Sequence, residues 1–169
     1  MQYEGEERRA TFSVLVDNEP GVLHRLVGLF AARGYNIESL TVAETDHAEH
    51  LSRVTIVSRG TAPILAQIYA QLEKMVAVRA VSDIGRDPLG VERELALVKV
   101  RGTGTERVEA LRVAEIFRSK VIDTTHESFI FEITGAPSKI DGFEELMRPL
   151  GLVEVSRTGV LSIRRGAQR

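Results

Sequence analysis

Asn18, Gly21 and Asn36 are the residues whose types and surroundings best suit the capture of a small polar molecule. Asp17-Asn18-Glu19-Pro20-Gly21 stands where a strand hands over to a helix, and the free N–H groups of a helix start favour a carboxylate or another anion. Gly21 has no side chain, so a ligand can approach the backbone there. Asn36, in Gly34-Tyr35-Asn36-Ile37-Glu38-Ser39-Leu40, lies past the far end of the same helix. About a dozen residues at ~1.5 Å rise separate Asn36 from Gly21 by roughly 18 Å. One small molecule cannot span that distance. If both residues hold the same ligand, two copies of the chain must supply them.

The elements that position these residues follow from hydrophobic spacing. Phe12, Val14 and Val16 alternate as in a strand, and Val22, Leu23, Leu26, Val27 and Phe30 recur at helical spacing with His24, Arg25 and Arg33 turned outward. Pro20 suits a first helical turn and Gly34 a left-handed stop. Thr45 to His50 reads as a hairpin loop and Leu51 to Ser58 as a strand antiparallel to the one before it. Thr61 caps a helix carrying Ile64, Leu65, Ile68, Leu72 and Met75, and Val78 to Ile84 closes a βαββαβ unit.

Arg86-Asp87-Pro88-Leu89-Gly90 breaks the pattern, and the same order then repeats. Glu94 to Arg101 is a strand, and Val108, Leu111, Ala114 and Phe117 mark a helix. Val121 to Thr125 and Phe129 to Thr134 form a strand pair. Ser138 opens a helix with Ile140, Phe143, Leu146 and Met147 before a strand at Leu152 to Ser156. The expected fold class is α+β, two ferredoxin-like βαββαβ domains: a disordered lead-in at 1–8, a first domain at 9–85, a linker at 86–90 and a second domain at 91–169. Each sheet would carry its helices on one face and need cover on the other, expected from edge pairing or stacking with another copy.

Composition excludes several classes. The 169 residues carry a formal charge of −2, with 24 acidic against 22 basic side chains, so nothing general attracts nucleic acid or an anionic membrane. A small neutral or zwitterionic partner fits better. There is no cysteine, which removes disulfides, thiolate metal sites and thiol nucleophiles together. The charged start and the lack of any long apolar run predict a soluble, cytoplasmic protein.

Asn18-Glu19-Pro20-Gly21-Val22-Leu23, Arg25, Gly34 to Leu40 and Leu51-Ser52-Arg53 resemble the small regulatory subunits of acetolactate synthase, also called acetohydroxyacid synthase. The first half resembles an ACT domain, a βαββαβ amino-acid sensor. The likeness continues through Val91 to Leu95, Ile116 to Arg118, Val121 to Asp123, Thr134-Gly135 and Arg157 to Val160, so it covers nearly the whole chain. It implies a non-catalytic homodimer that activates a large catalytic subunit and makes it sensitive to valine. The effector would sit between two ACT domains, against residues matching Asn18, Gly21, Val22, Asn36 and Ile37. It implies no cofactor in this chain; thiamine diphosphate, magnesium and, in some members, FAD would belong to the large subunit. His24 in place of a small residue, a slightly long hairpin loop and the extended start depart from the pattern. They bear on effector strength, with selectivity among valine, leucine and isoleucine left open.

The competing readings are weaker. His47 and His50 are near in sequence but lie in a loop without further ligands, and His24 and His126 read as surface residues. Phe129 and Phe131 share a strand face, as base-stacking aromatics do, without the accompanying basic and glycine pattern. Ser39 and Ser52 lack a relay, and Gly102 and Gly104 lack the Lys-Ser/Thr of a phosphate loop. A free-standing amino-acid sensor would need a DNA-binding helix pair, and an acylphosphatase-like enzyme an arginine-and-asparagine phosphate site. Neither is recognisable.

Overall fold

The computed structural model describes residues Gly5–Ala167. The chain divides into two compact units, one running through Val91 and resuming at Val160, the other Glu92–Gly159.

In the first unit, β1 (Arg8–Asp17), α1 (Val22–Arg33), β2 (Ser39–Asp46), β3 (Leu51–Gly60), α2 (Ala62–Glu73) and β4 (Val78–Asp83) follow in the expected order. The sheet order is β2-β3-β1-β4, all pairs antiparallel. Phe12, Val14, Val16, Val54 and Ile56 face Leu26, Phe30, Leu65, Ile68 and Leu72 across a closed core. Of the lead-in, residues 1–4 lie outside the described residues; Gly5 to Glu7 hold no regular structure and β1 starts at Arg8.

In the second unit, β5 (Gly90–Arg101), α3 (Gly104–Ile116), β6 (Lys120–Thr124), β7 (Ser128–Gly135), α4 (Pro137–Met147) and β8 (Leu152–Arg157) repeat that order. The sheet order is β6-β7-β5-β8. Phe129 and Phe131 lie in its core, and Phe131 meets Phe143 edge-on with ring centroids 6.0 Å apart. Both aromatics thus face the helices and offer no stacking platform.

Several expectations shift in detail. Pro20 precedes the helix instead of entering its first turn, since Gly21 takes the N-cap and α1 starts at Val22. The stretch read as a linker is a tight double turn: a 3-10 turn at Ile84–Arg86, then Asp87 N–H to the Ile84 carbonyl and Gly90 N–H to the Asp87 carbonyl. In α3 the buried face is Ala110, Val113 and Ala114, while Val108 is 51% exposed. Val108 stands two residues before Ala110, about 200° round the helix, and so faces away from the buried stripe.

The chain end departs most from the reading. A ninth strand, β9 (Leu161–Arg164), follows β8 and returns to the first unit. Val160 N–H donates to Ser39 Oγ at 3.0 Å, Arg164 pairs with Asp87 at 2.9 Å, and Arg165 N–H donates to the Leu89 carbonyl. The span 91–169 is therefore not a single compact body. Part of the helix-free face of the first sheet, expected to be covered by another copy, is covered by this chain's own end, because β9 packs on β1.

Two of the resembling segments meet in the second unit. Arg157 grips Glu94 with two hydrogen bonds, Nε to Oε1 at 2.9 Å and Nη2 to Oε2 at 2.6 Å. Its Nη1 reaches Asp141 at 2.7 Å and Glu144 at 3.1 Å, so one guanidinium ties β5, β8 and α4 together. The bonds to Glu94, then those to Asp141, hold Arg157 more firmly protonated than an ordinary arginine, against the opposing effect of burial.

Candidate functional site

The turn between β1 and α1 is built around one backbone conformation. Gly21 has φ 84°, left-handed, and a Cβ added there would meet nothing within 4 Å. Conformation, and not space, therefore demands glycine. Asn18 N–H donates to the His50 carbonyl at 2.7 Å, and Arg25 N–H closes the first helical turn on the Gly21 carbonyl. The first turn of α1 itself holds no acidic residue, and the positive end of a helix favours an anion there. The nearby Asp17 is engaged by Arg79 Nε at 2.7 Å, a hydrogen bond that, with the attraction of the two charges, raises the guanidinium's hold on its proton.

The far end of α1 closes on Gly34, with φ 67°. Gly34 N–H donates to the Ala31 carbonyl and Tyr35 N–H to the Phe30 carbonyl, and the Phe30 and Tyr35 rings meet edge-on with centroids 6.0 Å apart. This is a Schellman stop with its apolar contact. It delivers Asn36 to the surface, where Ser58 Oγ donates to the Asn36 carbonyl at 2.7 Å and Glu38 N–H to the Val57 carbonyl at 2.8 Å.

Asn18, Gly21 and Asn36 are exposed and Ile37 is half-buried. The side chains of Asn18 and Asn36 have no hydrogen-bond partner among the described residues. Val22 is 3% exposed and belongs to the core, so it supports the turn from beneath and presents no side-chain surface to a ligand. Leu23, which the helical stripe assigned to the core, is 42% exposed beside Gly21. Within one copy the structure joins Asn18 to Gly21 at one end of α1 and Asn36 to Ile37 at the other; it does not unite the two pairs. Among the described residues no group of three or more His, Cys, Asp or Glu could hold a metal. His47 instead lies 2.9 Å from Glu44 and is largely in solvent.

No described helix is long and apolar enough to cross a membrane. Residues 12–80 match the model of the AHAS small subunit-like ACT domain, and residues 93–166 that of the small subunit of acetolactate synthase. The chain is 43% identical over 159 residues to the probable acetolactate synthase small subunit of Archaeoglobus fulgidus, covering 94% of this chain and 98% of that one. It is 46% identical to the acetolactate synthase isozyme 3 small subunit of Escherichia coli K12, covering 94% and 96%. The crystal structure of the acetolactate synthase small subunit from Thermotoga maritima superposes with a TM-score of 0.80 at 41% identity, over 95% of this chain and 99% of that one.

Two α+β units, the first an ACT domain, make this a protein of the ACT-bearing regulatory class. The chain belongs to the family of acetolactate synthase small subunits. It is a regulatory, non-catalytic subunit in branched-chain amino-acid biosynthesis.

Proposed function

We propose that this chain activates a thiamine-diphosphate-dependent large subunit of acetolactate synthase and confers feedback inhibition by valine, bound between the first units of two copies. The observation that carries the reading is the edge of β2, unpaired among the described residues, together with the placement of Gly21 and Asn36 at opposite ends of α1. Both β1 and β2 run antiparallel to β3, so they are parallel to each other, and Leu51 pairs with the ends of both at Asp17 and Asp46. Gly21 therefore lies toward the C-terminal end of β2, and Asn36 precedes its N-terminal end. A second copy pairing antiparallel along β2 sets its own Asn36 beside the first copy's Gly21.

Valine's carboxylate would meet the helix N-terminus near Gly21, and its ammonium the Asn36 carboxamide of the other copy. Ile37 and the exposed Leu23 would contact the branched side chain, with Asn18 at the rim. Metal ions and cofactors belong to the large subunit in this reading, and the setting is the cytoplasm.

The shared site makes a distinctive prediction. Holoenzymes built on Gly21→Asp alone, or on Asn36→Ala alone, are desensitised to valine; mixing the two variants restores part of the sensitivity. Each mixed dimer then holds one site with both changes and one with neither. Inhibition curves of the mixture that simply average those of the two pure variants would show that each copy carries a complete site.

The second unit is proposed to sustain the activated complex. Because Val160 onward completes the first unit, a stop after Val91 would damage the sensor. Glu92–Gly159 should instead be replaced by a short glycine bridge. Valine affinity is expected to stay within a few-fold while activation of the large subunit is lost; retained activation would assign that role to the first unit.

A further inference from the structure

The helix-free face of the first sheet carries a pattern that the valine site does not use. Thr41, Thr55, Ser13 and Ser82 stand in register on β2, β3, β1 and β4, a row of hydroxyls crossing the whole sheet. The next row is Ala43, Arg53, Leu15 and Ala80. Against Ser13, Ser82, Arg53, Leu15 and Ala80 of these rows lies a cavity of about 550 Å³, closed on one side by Ile163, Arg164, Gly166 and Ala167 of the returning chain end. That volume falls in the range of sites for small organic molecules.

The charges in this cavity are unevenly engaged. Arg164 is held by Asp87 at 2.9 Å, and Asp46 Oδ1 accepts the N–H groups of Ala48 and Glu49. Arg53 is half-buried and donates Nη1 to Ser13 Oγ at 2.7 Å, and no carboxylate pairs with it among the described residues. Ser13 is 3% exposed and, as an acceptor from Arg53, keeps its own O–H free to donate. Leu15, Leu51, Ile84 and Ile163 form the apolar part of the wall, which they share with polar residues such as Thr45 and Asp46.

We infer that this cavity is a second small-molecule site, taking a short organic carboxylate whose charged end meets Arg53 and Ser13 and whose hydrocarbon end meets Leu15, Leu51 and Ile163. A planar guanidinium matches a carboxylate with two parallel hydrogen bonds. These apolar side chains favour an anion with a hydrocarbon body over a bare inorganic one. The site lies on the opposite sheet face from α1 and is independent of the valine reading.

The test uses the full-length protein, ¹⁵N-labelled, titrated with isovalerate and separately with inorganic phosphate. Isovalerate should move the amide resonances of Ser13, Ser82, Ile163 and Gly166, and phosphate should move them far less. Arg53→Met should weaken the isovalerate response about tenfold or more, the worth of one charge-assisted hydrogen bond. Ser82→Val, at an exposed strand position, gives a second variant that narrows the same cavity and should also weaken binding. Shifts confined to the neighbourhood of Gly21 and Asn36, an equal response to phosphate, or undiminished binding in a folded Arg53→Met protein would each overturn the inference.

Discussion

Gly21→Asp and Asn36→Ala are expected to move the valine inhibition curve of the holoenzyme to higher concentration while leaving activity without valine nearly unchanged. Removing the Asn36 carboxamide deletes one hydrogen bond to a charged group, about 1.5 to 3 kcal/mol, which is roughly tenfold to a hundredfold in affinity. Gly21→Asp acts twice. It sets a negative charge beside the position proposed for the effector carboxylate, and it forces a side chain onto a backbone with φ 84°. Left-handed strain costs about 1–2 kcal/mol for a residue with a Cβ, although Asp and Asn bear it best. Gly21→Asn separates the two effects, because it carries the same strain without the charge. The Asn variant should lie between the natural protein and the Asp variant. Feedback is a coupling free energy, so valine inhibits only by binding the less active arrangement of the complex more tightly. Inhibition curves that coincide for all of these proteins, with valine still bound, would locate the inhibitory site elsewhere.

Arg157→Met should be among the most destabilising single changes in the second unit. The Glu94 side chain is 4% exposed and receives both of its hydrogen bonds from Arg157, while Asp141 and Glu144 share the same cation. Removing the guanidinium leaves three carboxylates converging, one of them without water. Breaking a fully buried pair from one side costs about 3–5 kcal/mol; the loss here is smaller, because the Arg157 side chain is 29% exposed and water screens it, but it remains a sizeable share of the roughly 5–15 kcal/mol that holds a typical domain folded. Replacing both partners, as Glu94→Leu with Arg157→Met, removes the stranded charge and should recover much of the loss. Urea unfolding followed by hydrogen exchange at β5 and β7 provides the measurement. A single variant as stable as the natural protein would mean that Glu94 finds water or another donor once Arg157 is gone. A double variant no better than the single one would mean that packing, and not charge, is what Arg157 supplies.

Much of this protein is legible residue by residue. Alternation marked β1 and β3, helical spacing marked α1 and α2, and Gly34 marked the stop of α1, because each depends on neighbours within one or two turns of chain. The Asn18-to-Leu40 stretch, with Leu51-Ser52-Arg53 and the later segments, was enough to mark the family resemblance. The separation of Gly21 from Asn36 by the length of one helix is likewise a property of the chain alone, and it already requires a second copy if the two share a ligand.

Other features depended on what lies across the fold. Leu23 and Val22 are adjacent and equally apolar, yet one is 42% exposed and the other 3%, because the sheet beneath α1 selects a narrower stripe than spacing can define. In α3 the buried stripe runs through Ala110, Val113 and Ala114, and Val108 falls on the far side of the helix, a choice of face that only packing against the sheet makes. Glu94 and Arg157 are 63 residues apart, and nothing local in either segment announces a partner. β9 is four residues long and half polar, too short for a periodic signal, and its place is set by pairing with β5 and by bonds to Ser39, Asp87 and Leu89, all far back in the chain. Local spacing sets which elements form. Long-range hydrogen bonds, ion pairs and steric fit set which face each element buries and where the chain end comes to rest.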